Sequence, residues 1–73
     1  MTNLIGETVT HYYFDNGLWK PDVTGTVRAV SDNAGAVLVE VSEDATGQKP
    51  KGTLVQLYAL AGMTERLMTG TPV

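Results

Sequence analysis

Gln56 and Tyr58 stand two residues apart inside "TLVQLYAL", the most apolar stretch of the chain. An amide and a phenol can donate and accept hydrogen bonds, and neither is charged at neutral pH. In that setting they suit the orientation of a ligand or a partner better than proton transfer. Side chains alternate between the two faces of a strand, so Leu54, Gln56 and Tyr58 share one face and Val55 and Leu57 the other. Val55 and Leu57 are apolar enough to be the inward row. An outward row of Leu, Gln and Tyr without a charge fits an interface or ligand surface, where tyrosine supplies contact area and a polar tip.

The other reactive side chains are sparse. No nucleophile elbow, phosphate loop, paired-histidine zinc motif or dinucleotide fingerprint is present. Glu43 and Asp44 form an adjacent acidic pair in a polar loop and read as solvated surface, since a working acid–base pair needs surroundings that separate its two pKa values. His11 is the sole histidine. It falls on the first strand and reads as a surface or edge histidine. With no cysteine and one histidine, neither a disulfide nor a metal site within one subunit is expected. A net charge of −3 and a sequence pI near 4.7 do not make the basic footprint of a nucleic-acid binder. No apolar run approaches the roughly 20 residues of a membrane span. "MTNLIGETV" lacks the basic head and apolar core of a signal peptide. These features predict a cytoplasmic chain with neither nucleic-acid nor membrane partners.

The elements that must position Gln56 and Tyr58 read as β throughout. Hydrophobic residues at 42% and charged residues at 18% describe a folded domain rather than a disordered chain. We expect one domain over residues 1–73, with an ordered core over 5–68 and flexible tails. "ETVTHYYF" is a strand rich in Thr, Val and aromatics. "FDNGLWKPD" reads as a long first loop, with Trp19 folded back over the core. In "VTGTVRAVS", Val23, Val27 and Ala29 share one parity, and Gly25 marks a bulge or close backbone approach. "DNAG", Asp32 to Gly35, is the turn of a tight hairpin into "AVLVEVSE", where Val37, Val39 and Val41 face the core and Leu38 lies on the outer row. "TLVQLYAL" is the fourth strand, "AGMT" a short turn and "ERLM" a closing strand. This order is the plan of a five-stranded SH3-like barrel. A barrel this small, without a disulfide or metal, is marginal alone, which points to oligomerisation.

The same residues carry a resemblance. "LVQLYALAGMTERL" resembles the C-terminal segment of the plasmid-borne type B (type II) dihydrofolate reductases, the trimethoprim-insensitive enzymes. That family's pattern is V-Q-I-Y, a short apolar turn, then E-R-I. Val55, Gln56, Leu57 and Tyr58 match the tetrapeptide with leucine for isoleucine. Glu65, Arg66 and Leu67 match E-R-I after one extra residue in the turn. Upstream, "IGETV" resembles the family's G-D-x-V, "VTGTV" its glycine-centred second strand and "VLVEVSE" its A-V-E-S-E strand. The resemblance spans roughly residues 5 to 67.

It implies an all-β homotetramer of SH3-like barrels around a central pore, in which hydride passes from NADPH to dihydrofolate. A single barrel cannot enclose both ligands, whereas symmetric copies present the same strand repeatedly around one channel. By this resemblance Gln56 and Tyr58 are the catalytic-site residues. Val55, Gln56, Leu57 and Tyr58 contact the cofactor, with the Leu57 backbone against the nicotinamide carboxamide. His11 occupies the position of a family lysine that meets the anionic groups of cofactor and folate, and Lys20, Lys49 or Lys51 are other sources of positive charge. The serine that precedes V-Q-I-Y in the family is Leu54 here. The alternative is a non-enzymatic SH3-like interaction module that docks a partner through Leu54, Gln56 and Tyr58.

Overall fold

Alternating Val and Thr make most of the chain extended, and turn chemistry cuts it into strands. The computed structural model describes residues 4–31, 35–58 and 65–71. Its strands are β1 (Thr8–Asp15), β2 (Leu18–Ser31), β3 (Ala36–Asp44), β4 (Leu54–Tyr58) and β5 (Glu65–Thr69). All pair antiparallel, in the order β4-β3-β2-β1-β5, and the sheet curls into a half-barrel that brings β4 back against β5. The described residues contain no helix long and apolar enough to cross a membrane.

Three irregularities give the sheet its curl, since an extra residue on one strand bends it and sharpens its twist. Between β1 and β2 the register slips after Thr10, so that Asp22 and Val23 together oppose His11. Pro21 sits beside that slip, where a missing N–H costs no ladder bond. Between β2 and β3 the register slips at Thr24/Gly25 and again at Val27/Ala29. Gly25 is required by close approach: a Cβ there would run into the Glu40 carbonyl oxygen and lie 2.6 Å from Val39 Cγ1.

The core is built almost wholly of valine. Val9, Val27, Val37 and Val39 form the buried cluster, and Leu4, Val30, Val55, Leu57 and Leu67 pack against it half-buried. Val37, Val39 and Val41 face inward as expected, and β4 and β5 form where the pattern places them.

Three expectations are corrected. The first connection is not a long loop but a two-residue hairpin: Asp15 pairs with Leu18, and Asn16 and Gly17 both have positive φ, 54° and 83°. Both angles positive is the signature of the primed turn that matches strand twist, and Asn-Gly is its favoured sequence. Trp19 therefore belongs to β2, where it packs edge-on against Phe14 at 5.1 Å. Ala29 does not share the inward parity of Val27, because Arg28 is the extra residue of the slip; Ala29 is exposed and Val30 half-buried instead. Asp32 to Ala34 of the central turn, residues 59–64 with "AGMT", and residues 1–3 and 72–73 lie outside the described residues, whereas Thr69, expected in the C-terminal tail, ends β5.

Candidate functional site

β4 shows the alternation in full. Leu54, Gln56 and Tyr58 are exposed while Val55 and Leu57 are half-buried against the core. Leu54 and Tyr58 retain 57% and 54% of their surface, too much for large side chains whose only role is packing. Partners on β3 extend the face: Leu38 opposes Gln56, Ala36 opposes Tyr58 and Glu40 opposes Leu54. On β2, Ala29 lies opposite Leu38 and Ser31 opposite Ala36. Side chains directly opposite in a sheet lie on the same face. A shallow cavity of about 270 Å³ opens here, lined by Ala29, Ser31, Leu38 and Gln56 among others.

No titratable carboxylate, amine or imidazole lines that cavity. The nearest charges in register are Arg28 and Glu40, and these neutralise each other through a 3.2 Å contact from Nε to Oε1. An uncharged recess with one amide at its wall offers hydrogen-bonding groups and no carboxylate, amine or imidazole for proton transfer.

The backbone adds a second feature. β4 is the end strand of the sheet, so one of its edges carries no strand ladder within the described residues, although β5 lies against β4. The Val41 N–H donates to the Thr53 carbonyl at 2.8 Å. Bonded and non-bonded pairs alternate along an antiparallel ladder, so Val39/Val55 and Val37/Leu57 are the next bonded pairs in that register. The N–H and C=O of Leu57 thus point toward β3, and those of Gln56 point away from it.

His11 is placed elsewhere. It lies on β1, separated from β4 by β2 and β3 in the sheet. It is not the surface or edge histidine expected: its side chain is 8% exposed, and Nδ1 lies 3.2 Å from Asp22 Oδ2. The bulge at Asp22 and Val23 brings that carboxylate opposite the imidazole, a contact no local sequence pattern announces. Val55, Gln56, Leu57 and Tyr58 are thus brought together, and His11 is not brought to them within one subunit.

The lysines divide in the same way. Lys20 Nζ donates to Asp15 Oδ2 at 3.0 Å, and this hydrogen bond and the carboxylate's charge raise its pKa. Lys49 and Lys51 lie in the connection that leads into β4, and Lys51 is exposed. That connection is organised by Asp44. Its carboxylate accepts from the Thr46 hydroxyl at 2.6 Å, from the Thr46 N–H at 2.8 Å and from the Lys49 N–H at 2.9 Å. Hydrogen bonding by Thr46 is the main cause holding the Asp44 carboxyl below its ordinary pKa. Asp44 is a loop organiser, not one half of an acid–base pair. Among the described residues no cluster of His, Cys, Asp and Glu is arranged to hold a metal.

Leu38 and Ala29 complete the face around Gln56. The outer-row position of Leu38 is visible in the alternation of β3, whereas the bulge hides that of Ala29. Comparison with known proteins finds no matching family model, no matching curated protein and no matching solved structure.

Proposed function

We propose that the chain is a subunit of a dihydrofolate reductase of the type B kind. In this reading SH3-like barrels assemble as a homotetramer around a central pore and reduce dihydrofolate with NADPH in the cytoplasm, insensitive to trimethoprim. The observation that carries the reading is the β4 face. Gln56 and Tyr58 stand exposed together on an end strand, beside an uncharged recess, within the segment that resembles the family.

The residues present fit the groups such a site must hold. A nicotinamide carboxamide and a pterin edge are flat, neutral and rich in paired donors and acceptors. The Gln56 side chain and the Tyr58 phenol offer complementary groups. NADPH, when bound, supplies the hydride. Gln56 and Tyr58 hold the two rings in register, and positioning of this kind lowers barriers by about 7–11 kcal/mol in the best cases. No carboxylate lines the recess, and Glu40 at the margin of the face is paired with Arg28, so the proton that completes reduction comes from solvent. Lys49 and Lys51, next to β4, supply positive charge toward the ligands' phosphates and carboxylates. His11 is turned to Asp22 and lies apart from the β4 face of its own subunit.

A second reading is supported by the exposure of Leu54 and Tyr58 and by the burial of His11 where the family carries a cation. It is a non-enzymatic module that docks a protein through Leu54, Gln56 and Tyr58. Growth of trimethoprim-treated bacteria expressing the chain separates the two. The enzyme reading expects growth that is lost with Gln56→Ala or Tyr58→Phe. No rescue by a well-expressed soluble chain, together with a monomer in light scattering, favours the module.

A further inference from the structure

A second recess lies at the other end of the sheet and owes nothing to the β4 face. It has a volume of about 300 Å³ and is lined by Tyr12, Trp19, Arg66, Met68, Thr69 and Thr71. The pairing of three strands builds it. Trp19 opposes Phe14 on β2 and β1, and Arg66 opposes Tyr12 on β5 and β1. Tyr12 and Phe14, two residues apart, share a face. The Arg66 guanidinium is thereby laid over the Trp19 ring, its carbon 4.4 Å from the centroid. Phe14 braces the same ring edge-on, at 5.1 Å and 64°.

Arg66 differs from Lys20 and Arg28 in its partner. Lys20 is neutralised by Asp15, and Arg28 by Glu40. Among the described side chains no carboxylate lies within ion-pair distance of Arg66. Its visible partner is a π-face, which engages the flat side of the guanidinium and leaves the N–H edge open. A guanidinium already held in plane loses little freedom when that edge forms two parallel bonds to an oxyanion. Thr69 and Thr71 are exposed and line the same recess with hydroxyls, and Met68, 52% exposed, adds an apolar wall. A cation edge, two hydroxyls, a phenol and an apolar wall ask for a ligand with one anionic end and one apolar body.

We propose that this recess binds a small organic carboxylate, with the carboxylate on the Arg66 edge and the body against Trp19 and Met68. The volume sits at the small end of ligand pockets and suits a single-ring molecule. Trp19 is the only tryptophan in the chain, so its fluorescence reports this site alone. The test titrates the full-length chain with benzoate, with benzyl alcohol as the uncharged ring and inorganic phosphate as the anion without a body. Backbone amide shifts are followed in parallel.

Benzoate should produce a saturable change in Trp19 emission and amide shifts concentrated at residues 66–71, at affinity at least about tenfold above benzyl alcohol and phosphate. Arg66→Gln should weaken binding about tenfold or more. Arg66→Lys should recover only part, because an ammonium cannot form the bidentate pair. Absence of saturation and of localised amide shifts overturns the proposal. Undiminished binding by Arg66→Gln overturns it as well, as does a response to phosphate equal to that of benzoate.

Discussion

In the proposed reading Gln56 acts through an amide and Tyr58 through a phenol, and both residues are exposed outside the core. Their truncation should therefore separate function from stability. Losing one hydrogen-bond partner costs about 1–3 kcal/mol, or about 5- to 150-fold in a rate. Gln56→Ala and Tyr58→Phe are expected to lose dihydrofolate-dependent turnover by at least that range, with an unchanged circular dichroism spectrum and melting temperature. Gly25→Ala is the opposite case, far from the face yet against the Glu40 backbone. Overpacking of this kind costs about 1–3 kcal/mol or more, and each kcal/mol is worth about 4–8 °C in a domain this small. A thermal melt should show that loss. An unshifted melting temperature would mean that the two strands do not approach so closely.

At the scale of elements, the strands were legible where alternation runs uninterrupted. β3 and β4 read correctly because valine and leucine rows keep strict parity from Val37 to Val41 and from Leu54 to Tyr58. β2 resisted for a physical reason. Its slips at Asp22/Val23 and at Arg28 reset which side chains face inward, and a bulge is settled between two strands rather than within one. Lys20-Pro21-Asp22 looked like a turn because proline is excluded from regular ladders, yet Pro21 is tolerated beside a slip. Asn16-Gly17 held the true hairpin signal. The candidate face was legible in Gln56, Tyr58 and Leu54. The burial of His11 against Asp22 was not, since that contact joins residues across the β1–β2 bulge.

The connection between β3 and β4 carries its own prediction. The Asp44 carboxyl is held below its ordinary pKa of 3.8 by Thr46 and, to a lesser degree, Lys49. A depressed folded-state pKa stabilises the loop fully above the unfolded value and loses that contribution as pH falls through the folded value. The amides of Thr46 and Lys49 should be protected at pH 6 and lose protection below about pH 4. Asp44→Asn should show the weaker protection already at pH 6. Equal protection at both pH values would contradict the role given to Asp44.

For the whole molecule, the core sets the terms. Among the described residues no leucine, isoleucine or aromatic ring is fully buried; valines and Thr10 fill that role. Each buried valine contributes about 1.5–3 kcal/mol, so Val39→Ala should remove a large part of the stability of a subunit this small. The proposed assembly makes stability depend on concentration, since association stabilises the folded state by mass action. Melting temperature should rise with protein concentration, and light scattering should give the mass of a homotetramer. A melting temperature independent of concentration, with a monomer mass, would remove the pore and the reading built on it.

The central claim is that the β4 face places NADPH and dihydrofolate together. Its most direct test is the rate of dihydrofolate-dependent NADPH oxidation by the purified full-length chain in the presence of trimethoprim. The account predicts a rate above background that trimethoprim does not lower and that Gln56→Ala abolishes. No oxidation at high protein concentration, or a rate that Gln56→Ala leaves intact, would contradict it.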